Sequence, residues 1–574
     1  MTSFHGAFYN CKSLTVIPEG LFDKCTEVTD FGGSSYIFEG CFENCMNIKT
    51  VPEGLFDNCT KVTSFNKLFV GCKNLTSIPA GLFDKCTEVT NFSWAFGQCT
   101  NLTTIPEGLF DYCTEVTKFE GTFEGCSSLQ AIPVGLFDKC TEVTAFNNTF
   151  YGCKNLSCNI PSGLFDYCPK VTTFYATFYG CSNLTGDIPM GLFKNNTKVK
   201  DFTWTFYNCA KLTGNIPNGL FDNCPEVTSF GNTFSGCNNL TGDIPMGLFD
   251  YNIQVTSFYS TFSGCTKLQK IPEGLFDKCT IVKDFNGIFS NTAITAIPEG
   301  LFDKCTKVTD FRNTFRNTPI SSIPVGLFDK CPGVLTFDYT FASTSINEIP
   351  NDLFKYNTSA AYFAGTFSYC RKLSTIPEGL FDKCTEIAYL GNEYYSSFQK
   401  GTFEGCSGLT SIPEGLFKNN LKIKSFYNTF YGCTSLENIP ANLFKYTTKV
   451  TNFGGVFAEC SSLQAIPEGL FDYNTKVTDF TRMFGSCKNL KSIPPGLFDK
   501  CTKITNFISA FYQCTGLLGE SPYTVIQVEG VETKVHLYER ANYPDMFAAP
   551  SSSNDCFYKC TGLTDYSSIP SSWL

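Results

Sequence analysis

The chain has 574 residues, including 59 Phe, 32 Cys, 47 Gly and 27 Pro but only 2 His, and its 43 basic against 53 acidic side chains give a net charge of −10. Hydrophobic residues at 43% are too many for a disordered chain, and apolar runs broken by Pro, Gly, Asp or Asn exclude a membrane-spanning helix. The acidic balance, with no Lys/Arg block, argues against nucleic acid and against an anionic membrane surface.

The N-terminal stretch MTSFHGAFYNCKSL has no basic region followed by an apolar core, so no signal peptide is read there. It opens inside a repeat unit, which reads as a fragment. The register is set by an Ile-Pro or Val-Pro step whose proline recurs 18 times, from Pro18 to Pro494. Intervals are mostly 26 to 28 residues, with two longer ones of 34 and 36. One unit runs from Cys72 through KNLTSIPAGLFDK to Cys86 and on through TEVTNFSWAFGQ, after which Cys99 opens the next. Its halves resemble one another, but either half alone is too short to close a coil around a core. The full unit falls within the roughly 20 to 29 residues of leucine-rich repeats.

Within a unit, L-T-S-I and V-T-N-F carry β-branched and aromatic residues and predict two short strands. P-x-G-L-F-D-K begins as a helix begins and predicts one or two 3-10-like turns. Leu, Ile, Val and the Phe positions form an inward face that no unit buries alone, so units must stack. The predicted fold is a repeat solenoid, mainly β with short helical or 3-10 turns, of about 18 coils.

Cysteine follows L-F-D-K 12 times, and other copies hold Asn196, Asn252, Asn357, Asn420, Asn474 or Thr447. A second series has 16 cysteines, replaced elsewhere by Thr292, Thr318 or Thr344. Cys, Asn and Thr interchange where a small side chain bonds to turning backbone, so buried thiol ladders are expected. Disulfides are the alternative, because stacked coils at ~4.8 Å fall within bridging range. Zinc would need close ligand pairs and His.

Two insertions interrupt the period, near 32–44 and 390–402. After Cys514 the repeat breaks, and YTVIQVEGVETKVHLYER predicts a β-hairpin turning at Glu529-Gly530. Residues 556–574 then restore one degenerate unit. The expected organisation is a solenoid over 1–516 and a cap of hairpin plus degenerate repeat over 517–574.

Core positions recur, while the two residues after V-T-x-F vary. They include Trp94, Tyr175, Trp204, Tyr259, Arg312, Tyr339, Tyr427 and Arg482. On one face these would form an intermittent stripe of residue types enriched at binding hot spots; alternatively they cover the coil edge. No catalytic, cofactor or metal motif is present: G-x-S-x-G, a Walker loop and H-E-x-x-H are all missing. The Asp and Glu of P-E-G-L-F-D recur in most units, which marks them as turn chemistry. His5 lies in the broken first unit, and His536 within the hairpin as a packed or exposed strand residue.

The pattern F-x-x-C-x-x-L-T-x-I-P resembles the BspA-like branch of leucine-rich repeats of bacterial surface proteins. V-T-x-F-x-x-x-F-x-x-C is similar to surface repeats of mycoplasma lipoproteins. V-H-L-Y-E-R, Y-P-x-x-F and I-P-S-S-W resemble the tail of such proteins in gut bacteria. The resemblance implies a right-handed solenoid, at the cell surface or secreted, that binds or adheres to host or microbial proteins or glycans without catalysis. The alternative is a passive rod or fibre component, of a cell surface or a phage tail, presenting another domain.

Overall fold

The computed structural model describes residues 1–33, 39–391 and 400–574; residues 34–38 and 392–399 of the two insertions lie outside the described residues. The chain forms two compact units, Met1–Val282 with Ile288–Ala293, and Lys283–Gly287 with Ile294–Leu574.

In the first unit, parallel bridges climb from Ser3–Asp30 through Ser64–Asn91 to Ser229–Ser257, one residue per coil, at the position before the Phe of V-T-x-F. The next residues bond alternately across coils and within their own turn. Phe65, Lys67 and Phe69 N–H groups donate to the carbonyls of Asn91, Ser93 and Ala95 at 2.8–2.9 Å. Between them, Leu68 N–H turns back to Phe65 O at 3.1 Å. This alternation needs left-handed backbone two residues after the Phe, as at Lys67 (φ 58°). V-T-x-F therefore pairs as a single-residue bridge and not as a strand.

The P-x-G-L-F-D-K segment makes the short 3-10-like turns expected of it and does not continue into a helix. It makes consecutive turns, such as Asp84 N–H to Gly81 O at 3.1 Å and Cys86 N–H to Phe83 O at 2.9 Å. Gly81 at φ +71° interrupts the helical sense, a conformation that glycine adopts at no steric cost.

The core is built of three phenylalanine columns. Phe83 meets Phe92 of its own coil at 4.8 Å between ring centroids and Phe110 of the next at 6.4 Å, while Phe96 stacks on Phe123 at 5.7 Å. All five rings are fully buried, each contributing roughly 1.5–3 kcal/mol.

The cysteines are free thiols, and most of the buried ones serve as ladder donors. In the second series Cys99 and Cys126 donate to the Phe69 and Phe96 carbonyls of the preceding coil at 3.2 and 3.1 Å. Burial pushes the Cys126 thiol up to about 12, so it keeps its proton. In the first series Cys86 lies 3.7–3.8 Å from the Cys59 and Phe56 carbonyls. Asn196 reaches the equivalent Cys168 and Phe165 carbonyls at 2.9 and 3.2 Å. Thr292, by contrast, donates to Phe289 O of its own turn at 2.8 Å. A third ladder escaped the sequence reading: Thr177 donates toward both Phe146 O (3.0 Å) and Phe174 O (2.8 Å), and Thr149, Thr205 and Thr233 repeat this.

The second unit repeats the scheme from the Asp284–Asp310 bridge to Asn506–Ser552. Strands β1 (Tyr523–Val528) and β2 (Val531–His536) form an antiparallel hairpin, turning at Glu529 (φ 50°) and Gly530 (φ 83°). Residues 552–560 add ladder rungs, with Phe511 N–H donating to Cys556 O at 2.9 Å and Cys560 Sγ to Phe511 O at 3.0 Å. Trp573 packs on Phe507 and Phe557 at 5.8 and 6.2 Å. Among the described residues no helix is long and apolar enough to cross a membrane.

Candidate ligand-binding surface

The left-handed position two residues after the V-T-x-F Phe holds Gly121, Asn148, Asn232, Asn313, Gly365 or Asn428 in many coils. These are the residue types that tolerate positive φ. Trp94 (φ 53°), Trp204 (φ 61°), Tyr339 (φ 57°) and Arg482 (φ 56°) occupy it instead, at a cost of roughly 1–2 kcal/mol each.

In the first unit, the Trp94 indole lies over Gly121 of the next coil, where a Cβ would collide with it. Its Nε1 donates to Glu124 Oε2 at 3.1 Å. Burial raises the Glu124 pKa, and the indole bond only partly offsets this. Tyr175 and Trp204 meet edge to face at 5.2 Å. They adjoin a column that the sequence reading missed: Tyr151, Tyr179 and Tyr207 stack at 4.5 and 4.6 Å, and Trp204 meets Tyr179 at 6.2 Å. The successive F-Y-G-C, F-Y-G-C and F-Y-N-C segments were the available signal. Burial first, then neighbouring Asp201 and Tyr151, raises the Tyr175 pKa. Tyr259 is 44% exposed and stands apart from this cluster.

In the second unit, Arg312 pairs with Asp310 at 2.6 Å. Tyr339 is half-buried over Gly365 and beneath the Arg316 guanidinium at 5.5 Å. Tyr427 and Arg482 line one cavity of about 270 Å³ together with Tyr369, Lys400, Glu404 and Tyr431. The last four were not singled out in the sequence, because only the fold aligns them.

His536 does not form a Ser-His-Asp triad with its neighbours. His536 Nδ1 lies 2.8 Å from Ser521 Oγ and 3.4 Å from Asp565 Oδ2, and that serine also bonds to Asp565. Serine and aspartate share one ring nitrogen, whereas nucleophile activation places them on opposite nitrogens. Ser521 is also buried. His5 lies 3.5 Å from Asp30.

The sequence matches the BspA-type leucine-rich-repeat region, in six copies, over residues 5–53, 15–144 and 214–361. It also matches a Mycoplasma protein family of unknown function over 90–219, 117–246 and 402–542. No curated protein matched the chain. Among solved structures it is similar to the plant peptide hormone receptor RGFR1 in complex with RGF2 (TM-score 0.43, 13% identity, 88% of this chain and 81% of that one). It is also similar to a TDR receptor (TM-score 0.45, 13% identity, 87% and 78%). A third is the functional domain of InlJ from Listeria monocytogenes, which includes a cysteine ladder (TM-score 0.38, 12% identity, 79% and 76%). With the repeat matched over half its length and parallel bridges climbing coil by coil within each unit, the chain belongs to the BspA-type leucine-rich-repeat family and folds as a leucine-rich-repeat solenoid.

Proposed function

We propose that this is a non-catalytic binding or adhesion protein, at the cell surface or secreted, that recognises protein or glycan partners through the variable residues after V-T-x-F. The observation that carries the reading is the bulky side chain at a left-handed position. Trp94, Trp204, Tyr339 and Arg482 stand where Gly or Asn folds more cheaply, and strain of this kind collects at functional sites. Aromatic and Arg side chains are also the usual hot spots of interfaces. The shared-nitrogen geometry at His536 disfavours a Ser-His-Asp triad there. We further propose that residues 1–516 are the repeat solenoid and 517–574 its cap.

The test is an array of glycans and host-matrix proteins probed with the chain and with a Trp94→Ala, Trp204→Ala, Tyr259→Ala variant. Binding lost in the variant, with circular dichroism unchanged, supports the reading. Binding that survives moves the site to the insertions or the cap. No binding by either protein favours the alternative of a passive rod or fibre component.

A further inference from the structure

The cavity shared by Tyr427 and Arg482 has a charge balance opposite to that of the chain. Its lining carries two cations, Lys400 and Arg482, against one carboxylate, Glu404, in a protein of net charge −10. Glu404 is committed internally. Its side chain is 3% exposed and accepts from Lys400 Nζ at 2.6 Å, Tyr369 Oη at 3.1 Å and Gly401 N–H at 3.1 Å. Lys400 also donates to Tyr369 Oη at 2.9 Å, which leaves one of its three protons for a ligand. The Tyr431 hydroxyl donates to Glu459. Burial first, and then that bond, pushes the phenol pKa up, so the phenol stays protonated.

Arg482 is different. It is exposed, its backbone is left-handed (φ 56°), and among the described residues its guanidinium has no ion pair. A planar guanidinium at a cavity rim is the group suited to gripping a carboxylate through two bonds. The walls are tyrosine rings, which offer an apolar face and a polar edge. At about 270 Å³ the cavity falls just below the roughly 300 Å³ at which sites for drug-sized ligands begin, so it suits one ring better than an extended peptide. An anion, an apolar ring face and several hydroxyls together describe one class of ligand.

We propose that the cavity bounded by Tyr369, Lys400, Glu404, Tyr427, Tyr431 and Arg482 binds an acidic sugar residue of a glycan. Its carboxylate sits on Arg482, its C–H face lies on a tyrosine ring, and a hydroxyl accepts the remaining Lys400 proton. This rests on the binding reading above and narrows it to one site and one ligand class.

The experiment is calorimetric titration of the full chain with glucuronic acid, N-acetylneuraminic acid, glucose, inorganic phosphate and a short Asp/Glu peptide. The expected result is binding of at least one sugar acid, with glucose and phosphate each roughly tenfold weaker or more. Arg482→Ala should abolish the preference for the acid over glucose, and Arg482→Lys should restore part of it. Tyr473→Ala, an exposed tyrosine of the same unit outside the cavity, should change nothing. Equal binding of glucose and sugar acids would overturn the proposal, as would sugar-acid binding unaffected by Arg482→Ala. Binding of the acidic peptide without either sugar acid would also overturn it, in favour of a protein ligand. If no probe binds while the array still detects ligands lost in the tryptophan variant, this site fails and the broader reading stands; if the array is silent too, both fail.

Discussion

The guanidinium of Arg540 donates to the carbonyl of Cys501 at 3.2 Å and, through its other terminal nitrogen, to Phe498 O at 3.0 Å. Asn420 makes the same pair of bonds one ladder step beyond Cys384, to the Cys384 and Phe381 carbonyls at 2.9 and 3.0 Å. Arg540 thus occupies the next rung after the last L-F-D-K coil, reaching in from outside the repeat. Burial lowers its pKa to about 10, and its guanidinium lies 4.4 Å over the Phe547 ring.

Removing that rung leaves the Cys501 carbonyl without a donor, at a cost of roughly 1–3 kcal/mol, while Phe498 O keeps the Cys501 N–H at 3.0 Å. Arg540→Ala is therefore expected to destabilise the second unit by about 1–3 kcal/mol. Urea denaturation followed by near-ultraviolet circular dichroism measures this. A change under about 0.5 kcal/mol would mean that the ladder does not need a terminal donor.

The thiol ladders make a distinct prediction about reactivity. Cys11 is exposed, Cys25 and Cys158 are partly exposed, and the other cysteines are buried. Burial raises the pKa of the inner thiols, to about 12 at Cys279 and Cys384, and thiolate rather than thiol is the nucleophile. Iodoacetamide applied to the native chain should modify Cys11 first and Cys25 and Cys158 next, as read by peptide mass spectrometry. Rapid modification of ladder cysteines under native conditions would contradict the ladder geometry.

Cys140 lies 3.9 Å from both the Phe110 and Cys113 carbonyls, whereas Asn at this rung comes to about 3 Å, as at Asn252 (3.2 and 2.8 Å). Cys140→Asn should fold with stability within about 1 kcal/mol of the parent, and Cys140→Leu should lose roughly 1–3 kcal/mol by overpacking. Thermal denaturation separates the two.

Asp338 gives the second unit a pH dependence. Burial pushes its pKa up to about 6, despite the opposing Ala364 N–H and Arg312. Because the folded value lies above the ordinary one near 4, the protonated carboxyl is favoured in the fold. Its stabilising contribution is complete below about pH 4 and is lost as pH rises through 6. The parent should lose up to about 1–3 kcal/mol between pH 4 and 7 relative to Asp338→Asn. Urea midpoints of both proteins at pH 4, 5 and 7 test this; parallel curves would contradict it.

The Ile-Pro register, the inward Phe and the Cys/Asn/Thr exchange were legible because a repeat displays the same constraint many times. Asn196 in place of Cys already implied a hydrogen-bond donor rather than a disulfide partner. In the repeat, V-T-x-F pairs as single bridges and the P-x-G-L-F-D-K turns stop short of a helix, because Lys67 and Gly81 carry positive φ, which propensity does not reveal. The variable positions were visible as variable, yet their company was not. Tyr175 meets Trp204 from the neighbouring coil, and Arg482 shares one cavity with Tyr369 and Glu404, which are far from it in sequence, so both sites depend on how coils superpose. Arg540 lay within the quoted V-H-L-Y-E-R, but nothing local showed that it would enter the ladder.

Hydroxyl-radical footprinting with a bound ligand reads the aromatic side chains of the variable positions directly. If partners bind through the variable positions, Tyr175, Tyr179 and Trp204, or Tyr427 and Tyr431, become protected. Tyr112, Tyr167 and Tyr251, which are 55–58% exposed on the L-F-D-Y turns, should be labelled as before. Protection confined to those turn tyrosines or to Met190 and Met246, with the variable residues unchanged, would contradict it.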